Sequence, residues 1–163
     1  MGKVLSRFTN GFPGSVTRDR DAVIVALKNV GTNAIKPGDP VFMYNSVTPG
    51  GVRGFIAGTT TENEFVGFAV RVQDKSPVLA DSSESQWDAG DVVDVLVRGC
   101  TAIPCGTSGA KIGNPVYIRK NDSVIVTSAG TEGTTVLLPD VYIREPRDSA
   151  YNVEVVITKR HLQ

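Results

Sequence analysis

The side chains able to do chemistry are few in this sequence, and their spacing suits little of it. His161, the one histidine, is the third residue from the end, whereas a hydroxyl or thiol nucleophile needs a base held firmly within hydrogen-bond reach. A side chain so near a terminus is expected to be solvated rather than catalytic. Cys100 and Cys105 are separated by Thr101, Ala102, Ile103 and Pro104, which is not the spacing of a structural zinc site or a redox pair. Two buried free thiols are expected, with a disulfide as the alternative. Asp81, Glu84, Asp88 and Asp91 form one acidic stretch, but it lacks the alternating ligands and closing Glu of a calcium loop. Gly106-Thr107-Ser108-Gly109-Ala110-Lys111 resembles a phosphate loop only superficially: the glycines are too close, Lys does not follow the second, and no long helix comes after. It reads as a hairpin turn. No metal, cofactor or catalytic residue is therefore assigned. Carboxylate pairs for hydrolysis are not indicated, and the test for them is whether Asp81, Glu84, Asp88, Asp91 and Asp94 converge.

The elements that would hold such groups are strands. Apolar residues make up 40% of the 163 and charged residues 21%, a globular composition able to build one packed domain. Seventeen basic residues balance seventeen acidic ones without a block of either sign, so the basic footprint of nucleic-acid binding is missing. The longest apolar runs, Val23 to Leu27 and Phe65 to Val70, fall far short of the ~20 residues of a membrane helix. Residues 1–21 lack a signal-peptide core. A soluble chain made in a cytoplasm is expected, without a membrane or nucleic-acid partner.

Short β-rich runs separated by Gly, Pro, Asn or Asp recur from residue 22. Strands are expected at Ala22 to Leu27, Pro40 to Tyr44, Val52 to Ala57, Phe65 to Val72, Val92 to Arg98, Pro115 to Arg119, Val124 to Thr127, Thr135 to Leu138, Val141 to Glu145 and Val153 to Lys159. The segment Ser76 to Trp87, with Pro77 and its serines, reads as a loop. One motif recurs: Ile35-Lys36-Pro37-Gly38-Asp39-Pro40-Val41-Phe42-Met43 and Ala110-Lys111-Ile112-Gly113-Asn114-Pro115-Val116-Tyr117-Ile118, with a looser copy at Trp87-Asp88-Ala89-Gly90-Asp91-Val92-Val93-Asp94-Val95, each placing a Gly-Asp or Gly-Asn turn before a strand. Its glycine can adopt the turn's left-handed or extended geometry, and the Asp or Asn side chain can bond the turn's backbone amides. The copies are irregularly spaced, which rejects a solenoid or propeller. The fold class expected is all-β, a compact antiparallel jelly-roll or barrel-like sandwich of many short strands.

Residues 1–21 carry Phe8, Phe12, Pro13 and Val16 among polar residues with no clear period, which suggests an arm ordering against a neighbour or a strand packed on its own domain. We divide the chain into this arm, 1–21, and a β domain, 22–163. Arg and aromatic residues concentrate at the energetic centres of interfaces, so the interaction candidates are Arg7, Phe8, Phe12, Pro13, Arg18, Arg20 and Trp87. Trp87 is expected to be partly buried first and an anchor second.

Gly11-Phe12-Pro13-Gly14-Ser15-Val16-Thr17-Arg18, Ile35 to Val41, Gly67-Phe68-Ala69-Val70-Arg71, Gly90 to Gly99 and Gly113 to Ile118, in this order, resemble the structural cement proteins of tailed bacteriophages over most of the chain. The resemblance implies a decoration protein on the outer surface of a phage head, bound to the major capsid protein as a symmetric oligomer, with no reaction. A homodimer is favoured over a homotrimer because two-fold assembly is the commonest. The rival classes are a carbohydrate- or receptor-binding module, which needs an exposed aromatic platform, and a small β-barrel enzyme.

Overall fold

The computed structural model describes residues 10–44, 51–71 and 86–161, except for the side chain of residue 19. Nine strands follow in chain order: β1 (Val16–Asn29), β2 (Pro40–Met43), β3 (Gly51–Arg53), β4 (Phe65–Ala69), β5 (Val92–Pro104), β6 (Pro115–Arg119), β7 (Ile125–Val126), β8 (Thr135–Glu145) and β9 (Asn152–Ile157). The one helical element among the described residues is a short 3-10 turn, Glu62–Glu64.

The sheet runs β1-β3-β2-β4-β5-β9-β8-β6-β7, and β1 also pairs with β5. That extra pairing closes β1, β3, β2, β4 and β5 into a ring, so the architecture is the barrel-like one, extended on one side by β9, β8, β6 and β7. Strand β5 belongs to both parts. Its first half pairs with β4 through Phe68↔Leu96 and Ala69↔Val95. Its second half pairs with β9 from Gly99↔Ile157 to Pro104↔Asn152. The sheet departs from the antiparallel expectation at one place, where β1 and β3 pair in parallel through Lys28↔Gly51 and Asn29↔Val52. Closing the ring at the far end of β1 brings those two short stretches together in the same direction.

Period-two alternation sorts the side chains between two cores. Leu27, Ile35, Val41, Val52, Val66, Trp87, Val93, Val95 and Val97 fill one cluster, formed by the ring strands and the segments leading into them. Their neighbours Phe42, Phe65, Phe68 and Leu96 point the other way and join Ile103, Ile118, Leu138, Ile143 and Ile157. All of β4 is buried as a result, as expected for a strand covered on both faces. Burying each large apolar side chain contributes about 1.5–3 kcal/mol.

The repeated turn is as the sequence suggested. Lys36 N–H donates to Asp39 Oδ2 at 2.8 Å, Asp88 N–H to Asp91 Oδ2 at 3.0 Å and Lys111 N–H to Asn114 Oδ1 at 2.8 Å. A backbone bond closes each turn in return, and Gly38, Gly90 and Gly113 all have positive φ. Two further copies escaped the motif, Phe12-Pro13-Gly14-Ser15 before β1 and Thr131-Glu132-Gly133-Thr134 before β8, each with the same closing bond and a positive-φ glycine. Ser and Thr stand there in place of Asp and Asn, which hid them. Two of these turns interlock: a Cβ on Gly14 would lie 2.8 Å from both Gly38 N and Ala69 O, so only glycine allows that approach.

Several boundaries differ. The expected division at residues 21 and 22 falls inside β1, which already pairs with β5 through Val16↔Thr101 and Arg18↔Cys100. A bulge between Arg18 and Val23 broke the alternation that would have announced a strand. The runs Thr135 to Leu138 and Val141 to Glu145 form one strand, bent where Asp140 takes φ 56°. The third run stops at Arg53, because Ile56 to Thr59 closes a turn. Residues 105–114 are not a hairpin, since β9 and β8 lie between β5 and β6. Of the loop at 76–87, residues 76–85 lie outside the described residues.

Candidate functional site

Among the interaction candidates, Arg7 and Phe8 lie outside the described residues. The chain from Asn10 onwards is bound to its own domain. Asn10 Nδ2 donates to the carbonyls of Pro146 and Asn152, and its N–H to Asp148 Oδ2, all at 2.8–2.9 Å. Gly14 N–H donates to Ala102 O, Ala102 N–H to Ser15 O and Arg71 N–H to Gly14 O. Farther on, Glu154, nearly buried on β9, accepts from Thr17 Oγ1 at 2.6 Å and Arg18 Nε at 3.2 Å. Arg18 is thus engaged within the domain, and Arg20 is exposed in the β1 bulge. Trp87 is 2% exposed in the barrel core, and its backbone bridges Ile35 through a pair of bonds at 2.8–2.9 Å. That burial removes it from the surface a partner can reach, so the anchor reading of Trp87 is corrected. The described candidates do not form one site.

Phe12 and Pro13 lie in the turn that packs on the Gly38 turn. Phe12 is 65% exposed, with the Arg71 guanidinium 5.3 Å from its ring centre and Arg71 Nε donating to Pro13 O at 3.5 Å. Pro13 packs on the Gly38 turn, and Gly38 forms part of the wall of a groove of ≈ 460 Å³. Pro40, Pro104, Val124 and Ile125 give the groove apolar lining, and Asp39, Arg147 and Tyr151 add polar and aromatic groups to it. On the side nearest Asn10, the guanidinium of Arg147 lies 4.5 Å over the Tyr151 ring. One terminal nitrogen of Arg147 reaches the carbonyls of Cys105 and Gly106 at 3.3–3.4 Å. Asp39 lies within the wall, where burial pushes its carboxyl up against the pull of the Lys36 amide and charge.

Tyr151 is held out at a cost. It has φ 66° and is 63% exposed, in a turn fixed by Asp148 Oδ1 accepting from the amides of Ala150 and Asn152 at 2.9 Å. A left-handed backbone is strained for an aromatic residue, by about 1–3 kcal/mol. The sequence reading missed Arg71, Arg147 and Tyr151. The available signal was Asp148-Ser149-Ala150-Tyr151-Asn152, an aromatic residue in the middle of a polar turn cluster.

Elsewhere the reactive groups are quiet. Cys100 and Cys105 are free and buried, and burial foremost pushes both thiols up, away from nucleophilic thiolate. His161 is not solvated: it lies edge-on to Phe65 with Nε2 3.1 Å from Pro139 O and 3.5 Å from Asp140. Asp88 and Asp91 serve their own turn, whereas Asp81 and Glu84 lie outside the described residues. No group of three or more metal-ligating side chains gathers among the described residues.

The sequence profile of the phage structural cement proteins matches residues 3–158. The chain belongs to this family. No curated protein matches it. The fold is shared with a chain from the solved capsid of Myoviridae phage XM1, at a TM-score of 0.67 and 18% identity over 97% of this chain and 96% of that one. Membership makes this cement protein a phage structural protein associated with capsid proteins.

Proposed function

We propose that this cement protein sits on the outer surface of a phage head, bridges neighbouring major capsid protein subunits and holds the shell against the pressure of packaged DNA. The family match over residues 3–158 carries the reading. A subunit that binds the assembled shell and not dissociated coat protein stabilises the shell by mass action, about 2.7 kcal/mol per site at a hundredfold excess over Kd. A homodimer touching two coat subunits gains further, because its second contact is intramolecular. Residues 10–18 are committed to the domain, so an arm reaching a neighbour is residues 1–9, with Arg7 and Phe8 as its contacts.

Heads with and without the protein are heated and DNA release is followed. Loss at a lower temperature from bare heads is the expected outcome, and equal resistance refutes the role. Deleting residues 1–9 leaves the thermal midpoint of the isolated chain unchanged and weakens its binding to heads. Unchanged binding would return the contact to the domain surface.

A further inference from the structure

The groove between the Gly38 turn, the end of β5 and the Tyr151 turn is built to receive another molecule, and its chemistry says which kind. We propose that it docks an extended coat-protein segment, with an apolar side chain seated between Pro40, Pro104, Val124 and Ile125 and a carboxylate on the rim at Arg147. This rests on the cement reading and names the surface that reading leaves open.

Three observations converge. The first is unspent charge: Arg147 uses one terminal nitrogen for two long carbonyl contacts and has no carboxylate partner among the described residues. Its Nε and other terminal nitrogen, the pair of donors a carboxylate takes in parallel, have no bond among the described residues. The second is strain. Tyr151 holds a left-handed backbone and contributes nothing to either core, so a glycine there would suit the fold better, and the ring is kept for an outward-facing purpose. The third is the division of charge within the groove. Asp39 and Arg147 both line the groove, and Asp39 disfavours a second carboxylate beside it; an occupant therefore places its apolar group between the prolines, Val124 and Ile125 and its acid at Arg147. The same Asp39, together with the balanced charge of the whole chain, disfavours a nucleic-acid backbone, which carries a phosphate at every step.

The test titrates heads lacking the protein with the wild-type chain and with Tyr151→Gly, Arg147→Gln and Lys28→Gln, the last altering the barrel away from the groove. Tyr151→Gly and Arg147→Gln should each weaken binding by about tenfold or more, the loss typical of a central interface aromatic or arginine. Tyr151→Gly should also keep or raise the thermal midpoint of the free chain, which separates lost docking from lost folding. Lys28→Gln should bind as wild type. Tight wild-type binding with both groove variants within about twofold overturns the docking site and leaves the cement role standing; a wild-type chain that does not bind heads overturns the cement role itself. Competition by duplex DNA would make the occupant a nucleic acid, and loss of self-association in step with head binding would make it a second copy. Either result overturns the proposal.

Discussion

Two arginines lie over tyrosine rings in this molecule, and the fold treats them differently. Arg53, on β3, has its guanidinium 5.9 Å from the Tyr44 ring centre, but its side chain is 7% exposed and bonded to Thr60 Oγ1 at 3.0 Å and Glu64 Oε2 at 3.1 Å. Glu64 in turn accepts from Thr61 N–H. Arg147, at the groove, has the closer ring, yet its other contacts are two long bonds to carbonyls. The first arginine is neutralised where it is buried, as a buried charge must be. The second keeps its donors at the surface, where water satisfies them until something better arrives. Barrel and groove thus differ in what their residues serve: one set answers to folding, the other to a partner.

The sharpest way to break that contrast is to disturb the barrel where it has no slack. A Cβ on Gly67 of β4 would lie 2.0 Å from the Leu96 carbonyl oxygen on β5, so Gly67→Ala must force apart two paired strands. Overpacking costs about 1–3 kcal/mol when flexible side chains can yield, and here the obstacle is backbone. We expect a loss of at least about 3 kcal/mol, or roughly 6–12 °C in thermal midpoint for a chain of this size. A midpoint within a degree or two of wild type would show that the barrel is looser than its contacts suggest.

A comparison within one experiment comes next. Arg53→Ala leaves Thr60 and the half-buried Glu64 without their cation, for about 2–3 kcal/mol once the partial exposure of Glu64 is discounted. Arg147→Ala removes a half-buried side chain with no ion pair among the described residues and should cost about 0.5–1 kcal/mol. Urea unfolding of the two variants side by side reads both. Equal losses would erase the distinction between the two arginines and, with it, the argument that Arg147 is held in reserve.

This contrast also explains what the sequence could and could not disclose. The barrel was legible because its devices are local: Val93, Val95 and Val97 alternate with their neighbours, and Gly-Asp or Gly-Asn marks the start of a strand. The first part of β1 was not, since Asp19 to Ala22 interrupt the pairing that holds Val16 against Thr101. Trp87 was read as half-covered because nothing local reveals that its segment pairs with Ile35 in the barrel, 52 positions away. The groove was the least legible. Gly38, Val124 and Tyr151 come from three separate connections and Pro104 from the end of β5, and only the closed topology makes them neighbours. Phe12 and Pro13 were selected for their residue types, and the fold then supplied Arg71 as the partner.

The smallest expected effect concerns Asp39, which belongs to both regions because it closes the turn before β2 and lines the groove. Its carboxylate accepts the Lys36 amide at 2.8 Å, and in the equivalent turn before β6 the amide oxygen of Asn114 accepts the Lys111 amide at the same distance. Asp39→Asn can therefore keep the turn while removing the charge. Burial raises the folded-state pKa of Asp39, so the native state holds this proton more tightly than the unfolded chain does. The stability that follows is fully present below the unfolded-state pKa and is lost as pH rises through the folded-state one. At neutral pH the wild type carries a partly desolvated charge and Asp39→Asn should be slightly more stable. As pH falls through the carboxylate range the wild type recovers and the difference should close. Denaturant midpoints of the two chains at neutral and acidic pH check this, and a gap that stays constant would place the carboxylate in water rather than in the groove wall.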